Sequence, residues 1–344
     1  MIDHRRLRLL LLALCGAAVA PLAAAAQSFT PDTVDMAAAK QEATVVWYTS
    51  TPIAAAQKIA DLFQTATGIH VELFRSGGSA ILRRFSQEMS AGRVAVDVLT
   101  TSDPAASAAF AQKGLFVAFR PRNFDKIPAA AKDAQGRYVA QRLNMLAMFA
   151  REDKVPAADL PKAWKDLTNP KYKGKMVMPD PSFTALQLMV VSTLSKTYGW
   201  EFYEKLRAND IMIVQGNQQV SDMLKRGERL IAVGALDSYA ADERKAGHPI
   251  KTIYPSDGVF VIPSPTSVIK GGPNPNAAKL FAEFMISDTV QKLFPEEGGY
   301  SARVDMPAPK DSPDMKSIKI NAVDNDYIEK ESARIKKHFD EIFQ

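Results

Sequence analysis

Residues 69–89 read IHVELFRSGGSAILRRFSQEM, and the fold follows from the way that stretch changes its period. Ile69, Val71 and Leu73 alternate as in a strand, whereas Ile81, Leu82, Phe85 and Met89 recur at helical spacing. Between them stands Arg75-Ser76-Gly77-Gly78-Ser79, a tight turn that leads into a helix predicted over 80–91. A helix start leaves backbone N–H groups unpaired and carries partial positive charge. A glycine-rich turn exposes those donors, and the hydroxyls of Ser76 and Ser79 add to them. The stretch offers a seat for an oxyanion, although small hydroxyl residues before a helix also serve as caps.

The same transition recurs on either side. ATVVWYTS (43–50) is a β-branched strand, followed by Thr51-Pro52 and a helix with Ile53, Ala56, Ile59, Leu62 and Phe63 inward, ending at Gly68. VAVDVLTT (94–101) is a third strand, and Ser102-Asp103-Pro104 opens a helix that stops at Gly114. Strands alternating with helices imply a parallel sheet, whose ligands bind at the carboxyl edge of the strands. That edge would carry Thr49, Ser50, Ser76–Ser79 and Ser102, with Asp103 reading more simply as a cap.

After an irregular stretch over 115–137, RYVAQRLNMLAMFARE (137–152) is a long extended run, and GVFVIPSPTSVIKGG (258–272) is a second. Between them the alternation resumes, and its strand ends carry Ser182 and Thr184, Asn217, and Asp237-Ser238-Tyr239, with Ser182, Asn217 and Asp237-Ser238 read as caps. Asn276 is read as the cap of a later helix, and an amphipathic helix closes the chain from about Asp326. The expected architecture is α/β, with two discontinuous lobes joined by extended crossings and facing each other over a hinged cleft. Residues 27–138 with 264–306 would form the N-terminal lobe, and 139–263 with 307–344 the C-terminal lobe.

Composition sets the class. Arg5, Arg6 and Arg8 precede the apolar run LLLLALCGAAVAPLAAAA and a small-residue cleavage site before Gln27, so residues 1–26 read as a secretory signal and the location as periplasmic. Cys15, the single cysteine, falls within it, so the mature chain is expected to be stable without a disulfide. A lipid anchor on Cys15 is the other reading of that residue. The net charge of +5 drops to about +3 without the signal, which carries three Arg and one Asp. Such a mild surplus is no nucleic-acid footprint.

The patterns G-x-S-x-G, G-x-x-x-x-G-K-[ST] and H-E-x-x-H are absent. His70, His248 and His338 are scattered, without metal-ligand spacing. Neither an enzyme, such as a secreted hydrolase, nor a bound cofactor is expected.

Four segments carry a family resemblance: VVWYTST (45–51), PKAWKDLTNPKYKGKMVMPDPSFTA (161–185), GERLIAVGALDSY (227–239) and GVFVIPSPTSVIKGGPNPNAAKLFAEFMISDTVQKLFPEEGGYSARVD (258–305). Together they resemble the periplasmic solute-binding proteins of ATP-binding-cassette importers, in the branch of ferric-iron, phosphonate, sugar-phosphate and thiamine binders. The resemblance covers most of residues 43–306. It implies a type 2-like periplasmic binding fold and a membrane permease and ATPase as partners; a monomer is expected because the cleft forms within one chain. Ferric-iron binders of this branch use two adjacent tyrosines, but this chain has Tyr239-Ala240 at that place, which argues against iron.

The expected ligand is a small anionic organic solute: a phosphonate, phosphate ester or carboxylate. Thr49, Ser50, Ser76, Gly77, Gly78, Ser79 and Ser102 would hold it from one lobe, and Ser182, Thr184, Asn217, Asp237 and Tyr239 from the other. Arg75 and Arg142 would supplement the anion site, although a solvated charge or an interlobe salt bridge is the plainer reading of each. Ferric iron is the alternative ligand, with Tyr239 as its phenolate.

Overall fold

The computed structural model describes residues 32–344; the expected signal and Cys15 lie outside them. The chain begins with α1 (Met36–Glu42), β1 (Thr44–Thr49), α2 (Ile53–Thr67), β2 (His70–Arg75), α3 (Gly78–Ser90), β3 (Val98–Thr100), α4 (Pro104–Gln112) and β4 (Phe116–Val117). The long strand β5 (Val139–Arg151) leads to β6 (Met176–Pro179), α5 (Ala185–Tyr198), α6 (Glu201–Ala208), β7 (Met212–Val214), α7 (Asn217–Arg226), β8 (Ile231–Leu236), α8 (Asp237–Lys245) and β9 (Ile250–Ile253). The second long strand, β10 (Phe260–Ile269), is followed by α9 (Pro275–Met285), α10 (Asp288–Glu296), β11 (Tyr300–Ser301) and α11 (Asn325–Phe343).

One sheet runs through the molecule in the order β2-β1-β3-β10-β5-β8-β6-β7. β1 is parallel to β2 and β3, so the turns after all three leave the same edge. β6 is likewise parallel to β7 and β8. The two halves are joined by β5 and β10, which pair antiparallel from Phe260↔Leu146 to Thr266↔Val139. The two extended runs are thus the crossing strands. β10 shifts register between Ser264 and Pro265, where a proline without an N–H leaves the ladder.

Each half has its own core. Phe281 meets Trp47 and Phe63 edge-on, at ring separations of 5.1 and 4.8 Å, contacts each adding about 0.5–1.5 kcal/mol beyond burial. In the other half, Trp164, Tyr203 and Phe339 are fully buried, and α11 packs its Ile328, Ile335 and Phe339 there. The structure therefore has two α/β lobes linked by crossing strands.

Several helix starts differ from expectation, and the difference matters for the site. α3 begins at Gly78 with Gly77 as its N-cap. α5 begins after Thr184, α7 after Gly216 and α8 after Leu236, so Ser182, Asn217, Asp237 and Ser238 are not caps. Asn274, not Asn276, precedes α9, and the Glu42 carboxylate takes the N–H groups of Asn276 (3.0 Å) and Ala277 (2.7 Å). Asp103 does cap α4, accepting from the Ala106 N–H at 3.0 Å.

Candidate functional site

Where the carboxyl edges of the two half-sheets face each other, they enclose a cavity of about 300 Å³. Ser50, Pro52, Arg75, Gly77, Gly78 and Ser102 line it from the first half, and Arg142 reaches it from β5. Phe183 to Leu186, Gln215 to Gln219, Leu236 and Tyr239 line it from the second half.

Three helices start at this wall, α3 at Gly78, α5 at Ala185 and α7 at Asn217, and none has a side-chain cap. Their first-turn N–H groups have no partner within the helix, and the dipoles add partial positive charge. Glycine allows the close approach. A Cβ on Gly77 would stand 2.6 Å from a ring carbon of Phe183, and one on Gly78 3.4 Å from Ala185 Cβ. The Phe183 ring thus lies against Gly77 of one half while it also neighbours Gly216 of the other.

The charged groups are two arginines; no Asp or Glu is among the described residues lining the cavity. Arg142 is 5 % exposed and forms no ion pair with any described residue. Its Nε donates to Asn144 Oδ1 at 2.9 Å and its Nη1 to Thr51 Oγ1 at 2.6 Å, both neutral acceptors. Burial pulls its pKa down to about 9, with Tyr239 opposing the shift and Arg75 adding to it, so it remains a cation at neutral pH. A buried charge without a counter-ion is costly unless something supplies one. Arg75 is exposed, and its Nε donates to the Thr51 carbonyl at 3.0 Å. Burial pushes the Tyr239 phenol up, while Arg75 and Arg142 pull it down; the protonated phenol is a donor.

Of the expected residues, Ser50, Gly77, Gly78, Ser102, Thr184, Asn217 and Tyr239 come together on the cavity wall. Ser50 and Ser102 share a hydrogen bond of 3.2 Å, and Asn217 Oδ1 takes the Leu236 N–H at 3.0 Å, leaving its amide nitrogen free of that bond. The other five lie elsewhere. Thr49 is buried behind the wall against Thr51 Oγ1 at 2.7 Å. Ser76 is tied to it through its N–H and the Thr49 carbonyl, and Ser182 donates its N–H to Asp180 Oδ1. Ser79 is one residue too far along α3 and turns to a separate cavity with Asp103 and Lys336.

Asp237 is 1 % exposed and turns to β9, accepting from Thr252 Oγ1 at 2.6 Å and Tyr254 at 3.3 Å. Burial raises its pKa. Phe183 and the amides Gln215, Gln218 and Gln219 escaped the sequence reading. The run QGNQQ at a strand end was the available signal for the amides. Arg142 was named only as a supplement to the anion site, because in sequence it is a charge within a mostly buried strand.

Among the described residues, no group of three or more His, Cys, Asp or Glu could hold a metal, and no helix is long and apolar enough to cross a membrane.

Residues 95–331 match the family described as "Bacterial extracellular solute-binding protein". The chain is 26% identical over 242 residues to a putative 2-aminoethylphosphonate-binding periplasmic protein of Salmonella typhimurium, covering 67% of this chain and 68% of the relative. The fold matches that of the periplasmic binding protein AfuA from Actinobacillus pleuropneumoniae, solved with exogenous fructose-6-phosphate bound, at TM-score 0.77, 20% identity, 87% of this chain and 98% of that one. It also matches iron-bound HitA from Pseudomonas aeruginosa, at TM-score 0.75, 20% identity, 88% of this chain and 99% of that one. The first two are named as periplasmic binding proteins. A cleft between two α/β lobes and a family match over more than two thirds of its length make this chain a member of the bacterial extracellular solute-binding proteins.

Proposed function

We propose that the protein is a periplasmic receptor that hands a small organic oxyanion, a phosphate ester, phosphonate or carboxylate, to an ATP-binding-cassette importer. One observation carries this reading: the buried Arg142 guanidinium has no carboxylate partner among the described residues and sits among helix starts that lack caps. A ligand oxyanion supplies both the missing counter-charge and the missing acceptors. Arg142, Arg75, Gly78, Ser50 and Ser102 bind from one side, and Thr184, Asn217 and Tyr239 from the other. The lobes, 27–138 with 264–306 and 139–263 with 307–344, close over the solute by bending at β5 and β10.

The names of the relatives fit this class, since one is assigned a phosphonate and another was solved with a sugar phosphate. Ferric iron is a poorer match. Fe(III) asks for several anionic oxygens, and this cavity offers a single phenol, Tyr239, that burial keeps protonated. The membrane permease and ATPase are the partners of this role, and a monomer suffices because one chain supplies the whole cleft.

Calorimetric titration against fructose 6-phosphate, 2-aminoethylphosphonate, inorganic phosphate, citrate and ferric citrate tests the reading. Stoichiometric, colourless binding of one or more of the oxyanions is expected. A visible phenolate charge-transfer band with ferric citrate, and silence with the rest, would transfer the assignment to iron.

A further inference from the structure

Arg142 owes its freedom to the residue beside it. Asn144, 1 % exposed, accepts from Arg142 Nε through Oδ1 at 2.9 Å. Its Nδ2 donates to the Ile262 carbonyl and to Ser264 Oγ, each at 2.8 Å. This pair of bonds fixes the amide. Turned over, it would set an NH2 against Nε and an oxygen against a carbonyl, two like-with-like contacts. Hydroxyl contacts continue from Ser264 to Ser102 at 3.1 Å and from Ser102 to Ser50 at 3.2 Å, reaching the cavity wall. Four elements, β5, β10 and the ends of β3 and β1, thereby hold the guanidinium and the ligand-facing hydroxyls in one network.

An aspartate has almost the same shape as asparagine and would neutralise Arg142 in place. We infer that Asn144 is a positioning residue that orients the Arg142 guanidinium while withholding a counter-charge, and so sets the preference of the site for charged over uncharged solutes. This rests on the oxyanion reading and names the residue that enforces it. Thr51, the other acceptor of Arg142, is neutral too, so no described residue within hydrogen-bonding reach compensates the charge.

The test compares Asn144→Asp with Asn144→Leu in the full chain, with fructose 6-phosphate and fructose as probes and the melting midpoint of the ligand-free protein as control. Asn144→Asp is expected to weaken fructose 6-phosphate binding by about 100-fold, as for loss of a buried charge-assisted contact. It should also shrink the preference over fructose, while the new ion pair with Arg142 and the lost donor to the Ile262 carbonyl act oppositely on the ligand-free midpoint and leave it close to that of the parent. Asn144→Leu removes the orienting oxygen without adding charge, and is expected to weaken binding by about 10-fold. Equal losses in the two variants, or an Asn144→Asp protein that binds as the parent does, overturn the inference and leave the oxyanion reading standing. A parent that binds fructose 6-phosphate no better than fructose overturns both.

Discussion

Helix starts divide this molecule into two regions. Side chains cap α1 on Asp35, α10 on Ser287 and α11 on Asp324 at the periphery and α4 on Asp103 beside the cavity, while Glu42 serves α9. Around the cavity, α2, α3, α5, α7 and α8 begin on Pro52, Gly77, Thr184, Gly216 and Leu236 with no side-chain cap. α6 is the one described helix that lacks a cap away from the cavity. A missing cap costs about 0.5–2 kcal/mol where an apolar residue stands in its place and a few tenths where glycine does, so five at one place mark a region that forgoes stability for open donors. The division is physical: the same backbone groups are closed where they support the fold and open where a solute can reach them.

The sharpest way to break this contrast is to remove the charge at its centre. Arg142→Met should abolish tight oxyanion binding, a loss of roughly 100-fold or about 3 kcal/mol, while the ligand-free melting midpoint holds or rises because a buried unpaired cation is gone. Titration calorimetry and thermal melting on one preparation check both halves. A variant that keeps its affinity would show that Arg142 serves the fold and not the ligand.

Gly77→Ala gives the next largest effect. Its new Cβ meets the Phe183 ring at 2.6 Å, so the contact between the lobes must shift. Overpacking of this kind costs about 1–3 kcal/mol, which should appear as weaker binding and a larger radius of gyration with ligand in small-angle scattering. An unchanged radius would place the ring outside the closing surface.

The smallest effect tests the contrast at its two poles. Asp103→Ala removes a working cap and should cost about 1 kcal/mol in chemical denaturation with binding intact. Thr184→Ala removes a hydroxyl that caps nothing, so stability should hold within about 0.5 kcal/mol while oxyanion affinity falls. Should both variants lose stability alike, the two regions would not differ as described.

Sequence reading reached the alternation of strands and helices, the parallel β1–β3 group, the two crossing runs, and half of the wall. Ser50 and Ser102 were legible because each follows a strand whose direction the pattern set. Ser79 and Asp237 were not, since a shift of one or two residues in a helix start turns a side chain by 100° or more. Asp103, Ser182 and Asn217 look alike in sequence, yet the first caps a helix and the other two do not. Only the finished backbone separates those cases. Arg142 was ambiguous for another reason: whether a charge is paired depends on residues far along the chain, here Thr51 and Ile262 through Asn144.

Gly78 and Ala185 have one more consequence. They bring the like-signed ends of α3 and α5 close together, with a Cβ on Gly78 standing 3.7 Å from the Ala185 backbone nitrogen, and such ends repel each other. On the proposed reading the hollow opens itself when it holds no guest, like a sprung trap whose catch is negative charge. Dissolved salt screens that push, so an unloaded molecule should drift toward its shut form in concentrated brine and stand widest in dilute buffer.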